Sequence, residues 1–430
     1  MPKSVLWFRR DLRLADNEAL CAVAALGEVV PLFVLDPRFL ATSGAPRLAF
    51  LFRNLRALND SMGGALVVRT GNPEEIVAQV CRESGAERVV CAKDFAPYGM
   101  QRDALVAASL AKEEIDFQQV GSPYAVEPGV VRKGDGTPYA VFTPFSKIWM
   151  QHGWPAPFAK PTVKWTGAPD ISSESIPQDP PCAASLPEAG EDAAWRVWEN
   201  FRDTALDLYN ETRNNPDIAG TSMLSPYLRF GVIHSRSLLA ELNETKAQAV
   251  FRSELGWREF YADVLWRNPH TTDQYYEPRF SEMRYDSGPD AEAKFEAWKQ
   301  GKTGYPMVDA GMRWQRPGYY PERGESWKEA AERAALAVRN AVGVVDGTPL
   351  GKFMLKGPGV PALLDQLYVN DFASLQPGRG RYGVMLSDEF LDRANHLKVD
   401  IVVLDVVHIL HHQVLMPRRL ERAVKLPHGM

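Results

Sequence analysis

Two kinds of hydrophobic patterning divide the chain. From residue 4 to 121, short apolar runs alternate with amphipathic stretches. The runs SVLWF, VVPLFVLD, ALVVRTG, RVVCAK and IDFQQVG, rich in Val, Leu and Phe, read as buried strands. Between them the spacing predicts helices over 16–26, 47–60, 73–84 and 99–113. GNPEEIVAQVCRESG carries both helix signals, with Asn72 as a cap, Pro73 in the first turn and Gly85 past the end. Strand–helix alternation of this kind predicts an α/β domain with a doubly wound parallel sheet, covered on both faces. No GxGxxG or P-loop motif follows the first strand, so neither phosphate-binding fingerprint supports a nucleotide site there.

The second pattern starts near residue 192. Trp195, Trp198, Phe201, Leu206 and Tyr209 recur at roughly three- and four-residue intervals, as an amphipathic helix requires. A second helical stretch follows in SRSLLAELNETKAQAVFRSELGWREFYADVLWRNP. Between the two patterns lie prolines 155, 157, 161, 169, 177, 180, 181 and 187, a density that predicts a long irregular connector. The expected organisation is an α/β domain over 1–130, a Pro-rich linker over 131–191 and a helical domain over 192–313. Segments 314–389 and 390–430 follow, read as an atypical α+β C-terminal part.

Composition narrows the class. A chain of 430 residues has room for two or three domains, and 45% apolar with 24% charged residues is ordinary for a soluble globular protein. A net charge of -5 excludes a generally basic nucleic-acid coat while permitting a local basic groove. The N-terminal apolar run is broken at once by Arg9, Arg10 and Asp11, unlike a secretory signal, and no stretch is apolar enough to span a membrane. Cys21, Cys81, Cys91 and Cys182 show no paired spacing. The expected setting is cytoplasmic and reducing, with neither disulfides nor a zinc site.

Four stretches could carry chemistry. GTSMLSPYLRFGVIHSR places hydroxyls Thr221, Ser222 and Ser225 where a helix begins, near Arg229 and Arg236. Such hydroxyls with backbone N–H groups form a phosphate seat, or else a simple capping cluster. FRSELGWREFYADVLW puts Glu254, Trp257, Arg258 and Tyr261 within two helical turns, with 254, 258 and 261 on one face. Trp, Arg and Glu together could grip a flat heteroaromatic ring, although such stripes also serve as core. WKQGKTGYPMVDAGMR reads as a Gly-rich turn before a helix. His408, His411 and His412 share helical spacing, but no HExxH-like carboxylate accompanies them, so no metal is expected.

Taken in order, VLWFRRDLRLADNEAL, GTPYAVFTPFSKIW, GTSMLSPYLRFG, ELGWREFYADVL and WKQGKTGYPMVDAGMR resemble the DNA photolyase/cryptochrome family, above all bacterial cyclobutane-pyrimidine-dimer photolyases. The likeness spans residues 4–313. It implies an antenna domain followed by a helical domain that holds FAD beneath a pocket for a flipped-out lesion. By motif, Tyr209, Thr221, Ser222, Met223, Leu224, Ser225 and Phe251 would belong to the FAD site, with Arg258 beside the flavin. Glu254 and Trp257 would face the dimer, Arg213 would meet the DNA backbone, and Arg258 and Tyr261 would border the DNA site. Trp298 would be the outer tryptophan of an electron-transfer chain. The resemblance implies damaged DNA as partner, no membrane, a monomer, and an antenna of folate or deazaflavin type.

Several positions depart from that pattern. Met223 stands where the family has Arg, and Phe251 where Trp is common. After Arg313 the flavin-holding helices expected of the family do not follow. Instead GKFMLKGPG, LLDQLYVNDF and GRGRYGVMLSDE, within 317–388, resemble a fragment of the folate-binding aminomethyltransferase fold of the glycine-cleavage T-protein and sarcosine oxidase. The chain therefore reads as chimeric, and its FAD domain as truncated. The expectation is a photolyase with impaired activity. Two alternatives are an inactive or cryptochrome-like chain and a folate-dependent transferase fragment.

Overall fold

The structure is a computed structural model, which describes residues 2–309 except 169, 183–184, 216–217, 283–285 and 306–307, with the backbone of 353–356 and 400–403. In chain order the elements are β1 (Lys3–Phe8), α1 (Glu18–Ala24), β2 (Glu28–Leu35), α2 (Pro37–Thr42), α3 (Ala45–Ser61), β3 (Val67–Thr70), α4 (Pro73–Ser84), β4 (Arg88–Cys91), α5 (Pro97–Ala111) and β5 (Asp116–Gln119). Then come α6 (Phe142–His152), β6 (Lys164–Trp165), α7 (Glu191–Thr204), a 3-10 turn at Leu206–Leu208, α8 (Tyr209–Thr212), α9 (Ser225–Phe230), α10 (Ser235–Ala240) and α11 (Lys246–Arg267).

All five strands predicted from the sequence are present and pair in parallel in the order β3-β2-β1-β4-β5, with β6 added beside the start of β2. Strand alternation sorts the two cores. Leu6, Phe8, Val29 and Phe33 face one layer, whereas Val5, Trp7, Val30, Leu32 and Val34 face the other. The second layer is closed by Val77, Val80 and Cys81 of α4 and by Val106 and Leu110 of α5. The first layer continues into the helical region, where Trp198, Phe201, Leu206, Tyr209, Phe251, Leu255 and Phe260 join the same buried cluster.

Helix α4 covers the predicted span, with Pro73 in its first turn and Gly85 at φ 68°, the left-handed C-terminal stop that glycine allows. Asn72 occupies the cap position, but its side chain makes no capping bond and turns to Glu75. The segment expected as linker is irregular over most of 153–190 but begins with a helix the sequence reading did not anticipate, α6. Phe142, Phe145 and Trp149 recur along it at three- and four-residue steps and are all buried.

Residues 1–285 form one compact unit, and a second begins at residue 286. Within the second, α12 (Pro289–Lys299) precedes a turn in which buried Asp309 accepts bonds from the N–H groups of Thr303 and Gly304 at 2.7 and 3.0 Å. Two short strands, β7 (Phe353–Lys356) and β8 (Asp400–Val403), pair antiparallel. The remainder of the expected 314–389 and 390–430 segments, including the histidines of the tail, lies outside the described residues.

Candidate functional site

Helix α11 organises the site. The hydroxyl of Thr245 caps its first turn by accepting from Gln248 N, and the helix then runs 22 residues. Its inner face packs on α6. A Cβ added at Gly256 would lie 3.4 Å from the Trp149 ring and 3.6 Å from Phe142, so glycine permits this close approach. One turn on, the buried Glu259 carboxylate accepts from the N–H groups of Ala125 and Val126 at 2.5 and 3.1 Å and from Trp149 Nε1 at 2.6 Å. Burial pushes this carboxyl above its ordinary range, against the pull of those bonds. Asp263 Oδ1 accepts from Gly129 N at 2.6 Å, while its other oxygen holds Arg267. The inner face thus ties the 125–129 segment, which follows the edge strand β5, to the helical region.

The outer face of α11 carries the residues predicted for ligands. Glu254 pairs with Arg213, whose guanidinium lies 5.7 Å from the centre of the Tyr209 ring. Tyr209 in turn meets Phe251 edge-on at 5.4 Å. Trp257, half-buried, stacks face to face on Phe142 with centroids 3.8 Å apart and planes 14° from parallel. Tyr261, 62% exposed, extends the run at 5.4 Å and 25° from Trp257.

The hydroxyl loop lies against the same group. Gly220 approaches Thr212 so closely that a Cβ would sit 2.6 Å from its Oγ1, which lays the 221–225 run beside α8. Thr221 and Ser225 are exposed, Ser222 is half-buried, and Leu224 is buried as an anchor. Met223 is 67% exposed and sits at φ 53°, a strained conformation for a non-glycine residue. Ser222 Oγ also accepts a long bond from Leu224 N at 3.4 Å, a local turn contact, while α9 starts without a side-chain cap.

The structure thus brings Tyr209, Arg213, Phe251, Glu254 and the hydroxyl loop together, with Trp257 and Tyr261 farther along α11. It separates Arg258 from them, against the expectation of a shared face with Glu254 and Tyr261. Its guanidinium donates to the carbonyls of Pro123 and Leu228 at 3.0 and 3.2 Å and covers the Tyr124 ring at 4.7 Å. A long side chain can leave its helical stripe when backbone acceptors lie to one side. Arg236, read as a neighbour of a phosphate seat, is likewise committed elsewhere. Buried with Asp16, it donates two bonds to Oδ1 at 3.0 and 2.5 Å. His234 completes that network by accepting from Arg236 N on Nδ1, with Nε2 2.9 Å from the Ser122 carbonyl. Trp298 belongs to the second unit, where it lies nearly parallel to Phe295, 12° apart, and is 43% exposed.

Sequence reading missed Phe142 as the partner of Trp257, and Glu259 and Asp16 as buried organisers. Phe142 lies within GTPYAVFTPFSKIW, a stretch that carried the resemblance, and its aromatic spacing there was the signal for a buried helical face. It also missed a cavity of about 140 Å³ at the carboxyl ends of β1 and β2. Apolar and aromatic walls from Trp7, Phe33, Phe39 and Leu51 share the cavity with Arg9, Arg10, Arg47, Arg102 and Arg229 and with Asp36 and Asp94. It adjoins the crevice between β1 and β4, where the strand order reverses and ligands of open α/β sheets bind. Among the described residues no group of His, Cys, Asp or Glu could hold a metal, and no helix is long and apolar enough to cross a membrane.

Comparison with known proteins follows the same division. The DNA photolyase family matches residues 4–162 and the FAD binding domain of DNA photolyase matches 251–324. The GCVT N-terminal domain matches 298–397, so the change of family expected after Arg313 falls inside the overlap of two matches. The deoxyribodipyrimidine photo-lyase of Synechococcus sp. is 35% identical over 341 residues, covering 72% of this chain and 69% of that protein. Its counterpart from Halobacterium salinarum is 33% identical over 347 residues, covering 74% and 72%. Among solved structures, a bacterial class III photolyase from Agrobacterium tumefaciens superposes with a TM-score of 0.66 at 29% identity, covering 80% of this chain and 74% of that one.

Proposed function

This chain belongs to the DNA photolyase family, and we propose that it uses light to split cyclobutane pyrimidine dimers in DNA. One observation carries the reading: Trp257, with Tyr261 beside it, presents an aromatic platform directly along α11 from the Glu254–Arg213 pair. A lesion of two linked, poorly stacked bases leaves the duplex at lower cost than a normal pair, and an aromatic surface replaces the stacking it loses. Arg213 supplies positive charge for a backbone phosphate. In the free protein Glu254 holds that guanidinium in place by accepting its hydrogen bond.

The described residues suit the phosphate side of a flavin nucleotide. Thr221, Ser222 and Ser225 offer hydroxyls on a loop turned by the strained Met223 and braced against α8 through Gly220. Tyr209 and Phe251, both buried and in edge-on contact, back that side. Bound reduced FAD would supply the electron that opens the dimer and would receive it back. The protein residues bind, orient and shield, while the redox chemistry belongs to the cofactor. The cavity at the sheet end suits a second, light-gathering chromophore of folate or deazaflavin type. Its aromatic walls would take a flat ring and its arginines an anionic tail. Neither the impaired alternative nor the transferase alternative has support among the relatives, which are named photo-lyases.

The test is a visible absorption spectrum of the purified, desalted full-length chain, followed by illumination with a dimer-containing oligonucleotide. The expected result is about one flavin per chain and loss of dimers in light alone. Bound flavin without repair would replace the reading with a cryptochrome-like one. A colourless chain that repairs nothing would overturn it.

A further inference from the structure

Helix α6 contributes an aromatic ring, that of Phe142, to the platform on α11. Phe142 is 8% exposed, and its ring lies parallel to the Trp257 indole with centroids 3.8 Å apart. Nothing fits between rings at that separation, so one face of Trp257 is closed to a base. Phe142 is itself held from the sides. Phe260 meets it edge-on at 5.8 Å, and Gly256 lets α11 approach without a side chain in the way. Farther along α6, Trp149 Nε1 donates to the buried Glu259 carboxylate at 2.6 Å, fixing how the helix lies on α11. Two successive turns of α11 thus brace the element that delivers Phe142.

We propose that Phe142 is a positioning residue for lesion recognition: by stacking on Trp257 it sets the plane of the indole and closes one of its faces, so that an extruded base meets a fixed ring. The proposal rests on the reading of Trp257 as the lesion platform. A tryptophan on a helix surface can otherwise turn about χ1 and χ2, and a base stacking on it would bear the entropy of fixing it. Phe142 meets that requirement in advance.

Phe142→Leu keeps an apolar side chain and removes the ring, whereas Phe142→Tyr restores it. The measurement is binding of the full chain to a dimer-containing oligonucleotide and to the same oligonucleotide undamaged, with thermal melts to establish folding. In Phe142→Leu, affinity for the damaged oligonucleotide should fall about tenfold, within what stacking on one base contributes, while undamaged binding stays within about twofold. Phe142→Tyr should recover most of the preference for damage. Equal loss on both oligonucleotides would make Phe142 a packing residue only and overturn the proposal, as would an unchanged preference. Trp257→Ala separates the two levels. If that variant loses the preference while Phe142→Leu keeps it, the positioning role alone falls. If Trp257→Ala keeps the preference, the platform reading falls, and the role of Phe142 with it.

Discussion

The inner and outer faces of α11 carry the same kinds of residue to opposite ends. Glu259 and Glu254 lie five positions apart on one helix. Glu259 is 2% exposed and surrounded by donors from three separate segments. Glu254 is half-buried and meets one arginine at the surface. Arg258 and Arg213 differ in partner, the first donating to two backbone carbonyls, the second facing a carboxylate that water also reaches. Residue type does not mark the site; what each polar group has already been paired with does. A buried charge whose bonds are all made to the fold has no capacity left for a ligand.

The widest separation of the two faces should appear in stability. Glu259→Ala leaves the N–H groups of Ala125 and Val126 and the Trp149 indole N–H buried without their acceptor. Each such group costs about 1–3 kcal/mol, so denaturant unfolding should show a loss of about 3 kcal/mol or more. A loss below about 1 kcal/mol would mean that the inner face is not the anchor it looks to be.

A pH titration sharpens the contrast next. Burial, chiefly, and the neighbouring Arg13 hold His234 well below its usual range, outweighing the attraction of Asp16. A histidine depressed in the folded state contributes stability that is complete above its unfolded value, near 6.5, and is lost as pH falls below it. Asp16, also in contact with Arg236, is held below the usual carboxylate range despite its burial, so its own loss begins only at more acidic pH. Unfolding free energy measured from pH 7 to 5 should therefore decline by up to about 1.4 kcal/mol per unit below 6.5. His234→Gln should flatten that slope, and an unchanged slope in the variant would assign it to another group.

The smallest effect is expected on the outer face. Glu254→Gln replaces one partner of a half-exposed pair and should change stability by less than about 1 kcal/mol. Freed of its carboxylate, Arg213 should bind DNA no more weakly than before at low salt, with the difference shrinking as salt rises. A destabilisation comparable to that of Glu259→Ala would erase the distinction between the faces.

Much of this was legible along the chain. Five of the six strands were readable, most of them as short Val- and Leu-rich runs bounded by turn residues, whereas β6, two residues inside the connector, was not; helix α4 was readable because proline and glycine mark its ends. The hydroxyl loop, Tyr209, Glu254 and Trp257 were readable because their motif keeps local order. Helix α6 was not, since it was assigned with the connector although the dense prolines begin only at 155, after its end at His152. The deflection of Arg258 was not readable either, because its acceptors at Pro123 and Leu228 are 135 and 30 residues away in sequence.

By itself the sequence determined the parallel sheet, the amphipathic helices and the chemistry available on α11, all of which follow from periodicity and neighbours within a few turns. Tertiary structure alone decided which carboxylates would be buried and satisfied, which arginine would remain at the surface, and that Phe142 would stack on Trp257. Those outcomes depend on the free energy of pairing groups distant along the chain, and local pattern carries no record of which partners will meet.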